Sequence, residues 1–156
     1  LVMVDGAHCI GHFRFSIPDL NCDFYGASLN KWLSTPLGAG FLYARKESMP
    51  RVWPLLGPGD RKPDDILRLN HTGTHPVHTD LAILNAIDFY NKIGAERKEA
   101  LLRFLQQYWT SKVRNVPGVM VNTPEDPTRS CGIGNVGLTS MKPGDLADNL
   151  LTKYKI

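Results

Sequence analysis

The chain has 156 residues, a formal charge of +3 and 42% hydrophobic residues, enough for one sizeable core or for one domain plus part of another. Its basic residues are scattered among acidic ones instead of forming a stripe, which disfavours nucleic acid as a partner. Its apolar runs are short and broken by Gly, Pro or charge, which excludes a membrane-spanning helix of the usual length.

Leu1-Val2-Met3-Val4-Asp5 is an apolar run ending in a carboxylate, the pattern by which a buried parallel strand delivers a side chain to the working edge of a sheet. With no initiator methionine or leader before it, the chain is expected to be part of a longer one. Gly6 breaks this strand, and His8 to His12 continue as a loop or the start of a short helix. Asp23 to Ser28 reads as a second strand and Gly40 to Ala44 as a third, joined by a turn that carries Lys31. The stretch before Asp23 leaves room for a parallel connection, whereas Lys31 to Gly40 is brief enough for the third strand to run back antiparallel.

Met49 to Pro63 is rich in Pro, Gly and charge and predicts a surface connection; Ile66 to Pro76 is irregular. Helical periodicity starts near Thr79 or Asp80, with Ile83, Ile87 and Tyr90 on one face and Gly94 as a stop. A second helix is predicted from Ala95 to Val113, where Leu101, Phe104, Leu105, Tyr108 and Trp109 have the spacing of a buried stripe opposite Glu96, Arg97, Lys98 and Arg103. Short strands at Val119 to Val121 and Val136 to Leu138 precede a third helix bearing Ala147, Leu150, Leu151 and Tyr154. The order predicts an α/β architecture: the C-terminal part of a mostly parallel-sheet large domain over residues 1–94, then a linking helix and an incomplete smaller α+β domain over residues 95–156.

The chemistry concentrates around Lys31. An amine that condenses with an aldehyde needs a fixed position and a lowered pKa, and a buried turn supplies both. Asp5, one strand away, could keep a pyridinium nitrogen protonated and so make a pyridoxal ring an electron sink. Ala7 would set a methyl against a flat ring, His8 could reach a ring oxygen, and Ser28 and Asn30 carry donors suited to a phosphate. Singly, each is an ordinary turn residue; their conjunction is the signal. The three cysteines, Cys9, Cys22 and Cys131, are odd in number and lack a CxxC pair, which fits reduced thiols in a cytoplasmic compartment.

Val4-Asp5-Gly6-Ala7-His8, the run from Cys22 to Leu33 and Pro36-Leu37-Gly38-Ala39-Gly40-Phe41-Leu42-Tyr43 together resemble the class V aminotransferase family, pyridoxal-phosphate enzymes of fold-type I that include cysteine desulfurases and isopenicillin N epimerase-like proteins. Lys-Trp-Leu followed by Pro-Leu-Gly is nearer the epimerase-like branch. The resemblance implies pyridoxal 5'-phosphate held as an internal aldimine on Lys31, Asp5 on the pyridine nitrogen, His8 on the ring hydroxyl and Ser28 on the phosphate. Asn30 stands where the family usually has histidine, keeping a donor and losing an imidazole. Arg68 through Gly73-Thr74, Ala82, Ala86 and Ile93-Gly94 resemble the family's approach to its linking helix, which implies a homodimer with Gly73 and Thr74 reaching the other subunit's cofactor phosphate. The implied activity is that of an enzyme acting on a small amino-acid substrate by transamination or epimerisation, or alternatively by a desulfurase or lyase reaction. The ring-stacking aromatic and the arginine for the substrate carboxylate are expected outside this stretch, and Cys131 is not nominated as a persulfide cysteine.

Two rivals accompany this expectation. His71, His75 and His78 have helical ligand spacing, and Asp5, His8, Cys9 and His12 could form a second metal cluster, although Gly73 and Pro76 argue against a helix carrying the first set. A non-catalytic member that keeps the fold is the other, with Asn30 as its support.

Overall fold

In the computed structural model, which describes residues 1–56, 60–70, 73, 74 and 76–156, β1 (Met3–Asp5) pairs in parallel with β2 (Phe24–Ser28), and β3 (Gly40–Ala44) runs antiparallel along the far side of β2. The register sets Asp5 beside Gly26 and Ser28 beside Gly40. Both parallel strands therefore end at one edge of the sheet, where open α/β sheets bind their ligands. Residues 6–23 connect β1 to β2 through successive turns and a short 3-10 segment, Pro18–Leu20.

The chain forms two compact units, Leu1–Ala95 and Glu96–Ile156. The first holds the three-stranded sheet and α1 (Val77–Ile93), which ends at Gly94 as its sequence predicts, with the Gly94 N–H donating to Tyr90 O at 3.0 Å. Its hydrophobic core is Leu29, Leu33, Ala39 and Ala86, with Ile10, Ile83 and Tyr90 packed against it. Ile87, predicted for the same helix face, is 38% exposed.

The second unit carries nearly all of α2 (Ala95–Val113), the antiparallel ribbon of β4 (Val119–Val121) and β5 (Val136–Leu138), and α3 (Pro143–Asn149), continued by a π-type turn at Leu150–Tyr154. The helix has the predicted bounds, but its burial corrects the predicted stripe. Leu101, Phe104, Leu105 and Tyr108 are each about half exposed or more, while Gln106 and Thr110 are buried. Arg103 donates to Pro127 O and Ser130 O, Arg114 donates to Thr123 O at 2.8 Å, and Ser130 Oγ reaches Gln106 Oε1 at 3.5 Å. Two arginines of α2 thus bond loop carbonyls, whereas the buried Thr110 hydroxyl donates back to Gln106 O of its own helix at 2.9 Å.

Asp23, just before β2, ties three segments together. Its carboxylate accepts from the Ser48 hydroxyl and, at 2.6 Å, from the Val2 N–H, while the Asp23 carbonyl accepts from the Arg45 N–H at 2.8 Å. The Ser48 hydrogen bond, followed by the Val2 one, holds the carboxyl below its ordinary value of 3.8. A depressed carboxyl contributes stability that is fully present above its unfolded pKa and is lost as pH falls through the folded one. Asp23→Asn is thus expected to flatten the acid limb of a urea-midpoint-against-pH profile below about pH 4 and to lower the midpoint at neutral pH. An unchanged acid limb would remove Asp23 from this role.

Candidate active site

The loop after β1 and the loop after β2 build the site. Leu29 and Leu33 sink into the core on either side of Lys31, and the turn closes with Leu29 N–H donating to Ala39 O at 3.0 Å and Thr35 N–H to Leu29 O at 3.3 Å. Lys31 itself is exposed. This differs from the buried amine that the sequence suggests, because burying an ammonium costs several kcal/mol and the two leucines already occupy the inward positions.

On the other loop, Asp5 is exposed at the end of β1, and its Oδ1 accepts from the Ala7 N–H at 3.0 Å, an Asx turn that steadies the carboxylate. Gly6 is required beneath it: a Cβ there would sit 2.0 Å from the Tyr25 ring. Tyr25 is fully buried, its hydroxyl donates to Gly6 O at 3.4 Å, and burial, reinforced by Cys9, pushes the phenol above its ordinary range. It packs as a neutral support under the loop.

The two loops are joined by residues that the search for cofactor ligands passes over. Trp32 Nε1–H donates to His8 Nδ1 at 3.2 Å. The Trp32 ring stacks on His12, centroids 3.9 Å apart and 3° from parallel, and His12 Nδ1 meets the His8 carbonyl at 2.9 Å. Gly11 makes this approach possible, with φ at +76° and a position where a Cβ would fall 2.8 Å from Leu33 N and 2.9 Å from Trp32 C and O. The sequence does hold a signal for the clamp, an aromatic residue directly after the lysine and a histidine four positions beyond His8.

Among the other nominated residues, Ala7, Ser28 and Asn30 are half-buried on these same loops and strand ends, whereas Gly73 and Thr74 are exposed in the stretch before α1. His78 lies in the first turn of α1, and His71 and His75 fall outside the described residues. Among the described residues no three His, Cys, Asp or Glu side chains converge on a metal-sized site; His8 and His12 are committed to the clamp. Cys22 and Cys131 are buried, and burial pushes the Cys131 thiol up, the wrong direction for a reactive thiolate. A groove of about 860 Å³ in the second unit, lined by Phe104, Tyr108, Arg114 and Glu125 among others, contains none of the nominated residues.

Residues 1–156 match the aminotransferase class-V family. The chain belongs to that family. It is 29% identical over 147 residues to the isopenicillin N epimerase of Streptomyces clavuligerus, covering 84% of this chain and 37% of that protein. It is 26% identical over 157 residues to the cysteine desulfurase of Wigglesworthia glossinidia brevipalpis, covering 94% of this chain and 38% of that one. The fold matches the Escherichia coli cysteine desulfurase CsdA with a TM-score of 0.77 at 24% identity, over all of this chain and 40% of that one. The class-V chain thus spans little more than a third of the length of these relatives, and its mixed helix and sheet is an α/β portion of their fold.

Gly11→Ala is expected to strain the clamp directly, combining a left-handed backbone with a backbone clash. Unfolding stability should fall by roughly 1–3 kcal/mol, and quenching of Trp32 fluorescence should change with it. A variant with native stability and native fluorescence would show that the loops meet in some other way.

Proposed function

We propose that this chain forms part of a pyridoxal 5'-phosphate-dependent enzyme acting on an amino acid, with Lys31 as the covalent anchor of the cofactor. The observation that carries the proposal is the indole–imidazole bond at 3.2 Å. It ties the loop bearing Asp5 and His8 to the turn bearing Lys31, so that a carboxylate, an imidazole and a primary amine share one edge of the sheet.

The donor set suits the cofactor. Asp5, one oxygen steadied by the Ala7 N–H, can keep a pyridine nitrogen protonated, and the Ala7 methyl can border the ring. His8, with Nδ1 engaged by Trp32, would have its other nitrogen for a ring oxygen. Ser28 and Asn30 would supply donors for the phosphate, and Gly73 and Thr74 further ones from a second copy in a homodimer. When bound, pyridoxal phosphate supplies an electron sink for a carbanion. The Lys31 amine, exposed on a turn fixed by its two leucine neighbours, would give and take the proton at the substrate α-carbon. Epimerase-type and desulfurase-type outcomes share this cofactor end, and the groups that handle the substrate decide between them.

Lys31→Ala in the full-length protein tests the anchor. The visible absorption of lysine-bound cofactor should disappear, and amino-acid turnover should fall by roughly three orders of magnitude or more. Retention of both would end the proposal. For the contribution in trans, mixed dimers of Lys31→Ala and Thr74→Ala subunits hold one site with neither change, and should recover about half the activity of the native dimer. Recovery no better than that of the two parent variants would place Thr74 in its own subunit's site or in none.

A further inference from the structure

We infer that Trp32 is a positioning residue that fixes the tautomer of His8 and presents the His8 Nε2–H as a hydrogen-bond donor, an assignment that deepens the pyridoxal-phosphate proposal and relies on it only for the acceptor, the oxygen on the cofactor ring. The chemistry of the two rings leaves one arrangement. Indole nitrogen donates and never accepts, while a neutral imidazole has one donor and one acceptor nitrogen. The 3.2 Å contact of Trp32 Nε1 with His8 Nδ1 therefore requires an unprotonated Nδ1, and the proton of neutral His8 resides on Nε2.

The indole is itself held in place. Its ring lies 3.9 Å from His12 and 3° from parallel. His12 is 4% exposed, and because a carbonyl can only accept, its 2.9 Å contact with His8 O places a proton on His12 Nδ1. The result is a closed circuit from the His8 carbonyl through the His12 and Trp32 rings back to the His8 side chain, with opposite tautomers at the two histidines. His8 is exposed, so without the indole donor it would exchange tautomers and rotamers in water. With it, a donor is set in place before any ligand arrives, and the cost of ordering it is not charged against binding. Because Trp32 follows Lys31 directly, the same indole also sets the donor relative to the turn that carries the amine.

The test is nitrogen NMR of the full-length protein, labelled with ¹⁵N-histidine and free of cofactor, with His8→Gln identifying the His8 lines. His8 is expected to show a pyridine-type Nδ1 and a pyrrole-type Nε2, and His12 the reverse. Trp32→Phe keeps a ring against His12 and removes the N–H. It should convert His8 to a mixture of tautomers while His12 is unchanged, and weaken cofactor binding by about two- to tenfold, the effect of one neutral hydrogen bond. A wild-type His8 protonated on Nδ1 overturns the assignment without recourse to any variant. So do identical His8 lines, or identical cofactor affinity, in Trp32→Phe. Absence of the lysine-bound absorption band from the wild-type holoprotein would defeat the pyridoxal-phosphate proposal instead, and the His8 lines would still decide the tautomer.

Discussion

One indole holds the site together. Trp32 and His8 are 24 residues apart, on loops that leave different strands, and nothing in their local conformation brings them to the same place. A neutral hydrogen bond contributes about 1 kcal/mol net, and a stacked ring pair contributes a comparable amount beyond its burial. These are small sums against the stability of a domain, but loop conformers differ by similar amounts, so such contacts are sufficient to choose among them. Gly11 adds the steric condition: without a side chain there, backbone can approach backbone to within the distance the ring contacts require.

Beneath the clamp, the core determines what Lys31 can be. Leu29 and Leu33 are buried and Lys31 exposed on a turn of a few residues, and Ala86 of α1 belongs to the same core cluster as the leucines. The amine is therefore placed by apolar contacts it does not itself make. Asp5 is set in a similar way: Tyr25, neutral and buried, supports Gly6, and the Asx turn onto Ala7 aims the carboxylate. Each reactive group rests on a residue that has no chemistry of its own.

The parts legible in the sequence were those fixed by local rules. β3 and α2 have the bounds their patterns predict, the pairing of β1 and β2 is parallel as the length of their connection suggests, and α1 stops at Gly94. Periodicity predicts where α2 lies but not what it faces. Spacing marks a stripe from Leu101 to Trp109, yet Gln106 and Thr110 are the buried residues, because a helical repeat carries no information about which neighbours the helix meets. The clamp was hidden for a related reason. His8 and His12 looked like metal ligands by composition, and only the stacking of Trp32 on His12 and its bond to His8 show that these imidazoles serve each other's loops.

The same geometry bears on where the reaction is decided. A desulfurase needs a cysteine whose thiolate can reach sulfur on the substrate, and a thiolate requires exposure or a nearby positive charge. Cys22 and Cys131 are buried, Cys9 is set against the buried Tyr25, and at Cys131 burial outweighs the Arg103 charge that would favour the anion. The two buried cysteines are therefore not placed as that nucleophile. On the proposed function, Asp5, His8 and Lys31 would serve the cofactor, and a cofactor end of this kind would serve either outcome named among the relatives. On that reading, the choice between them rests with the groups that handle the substrate.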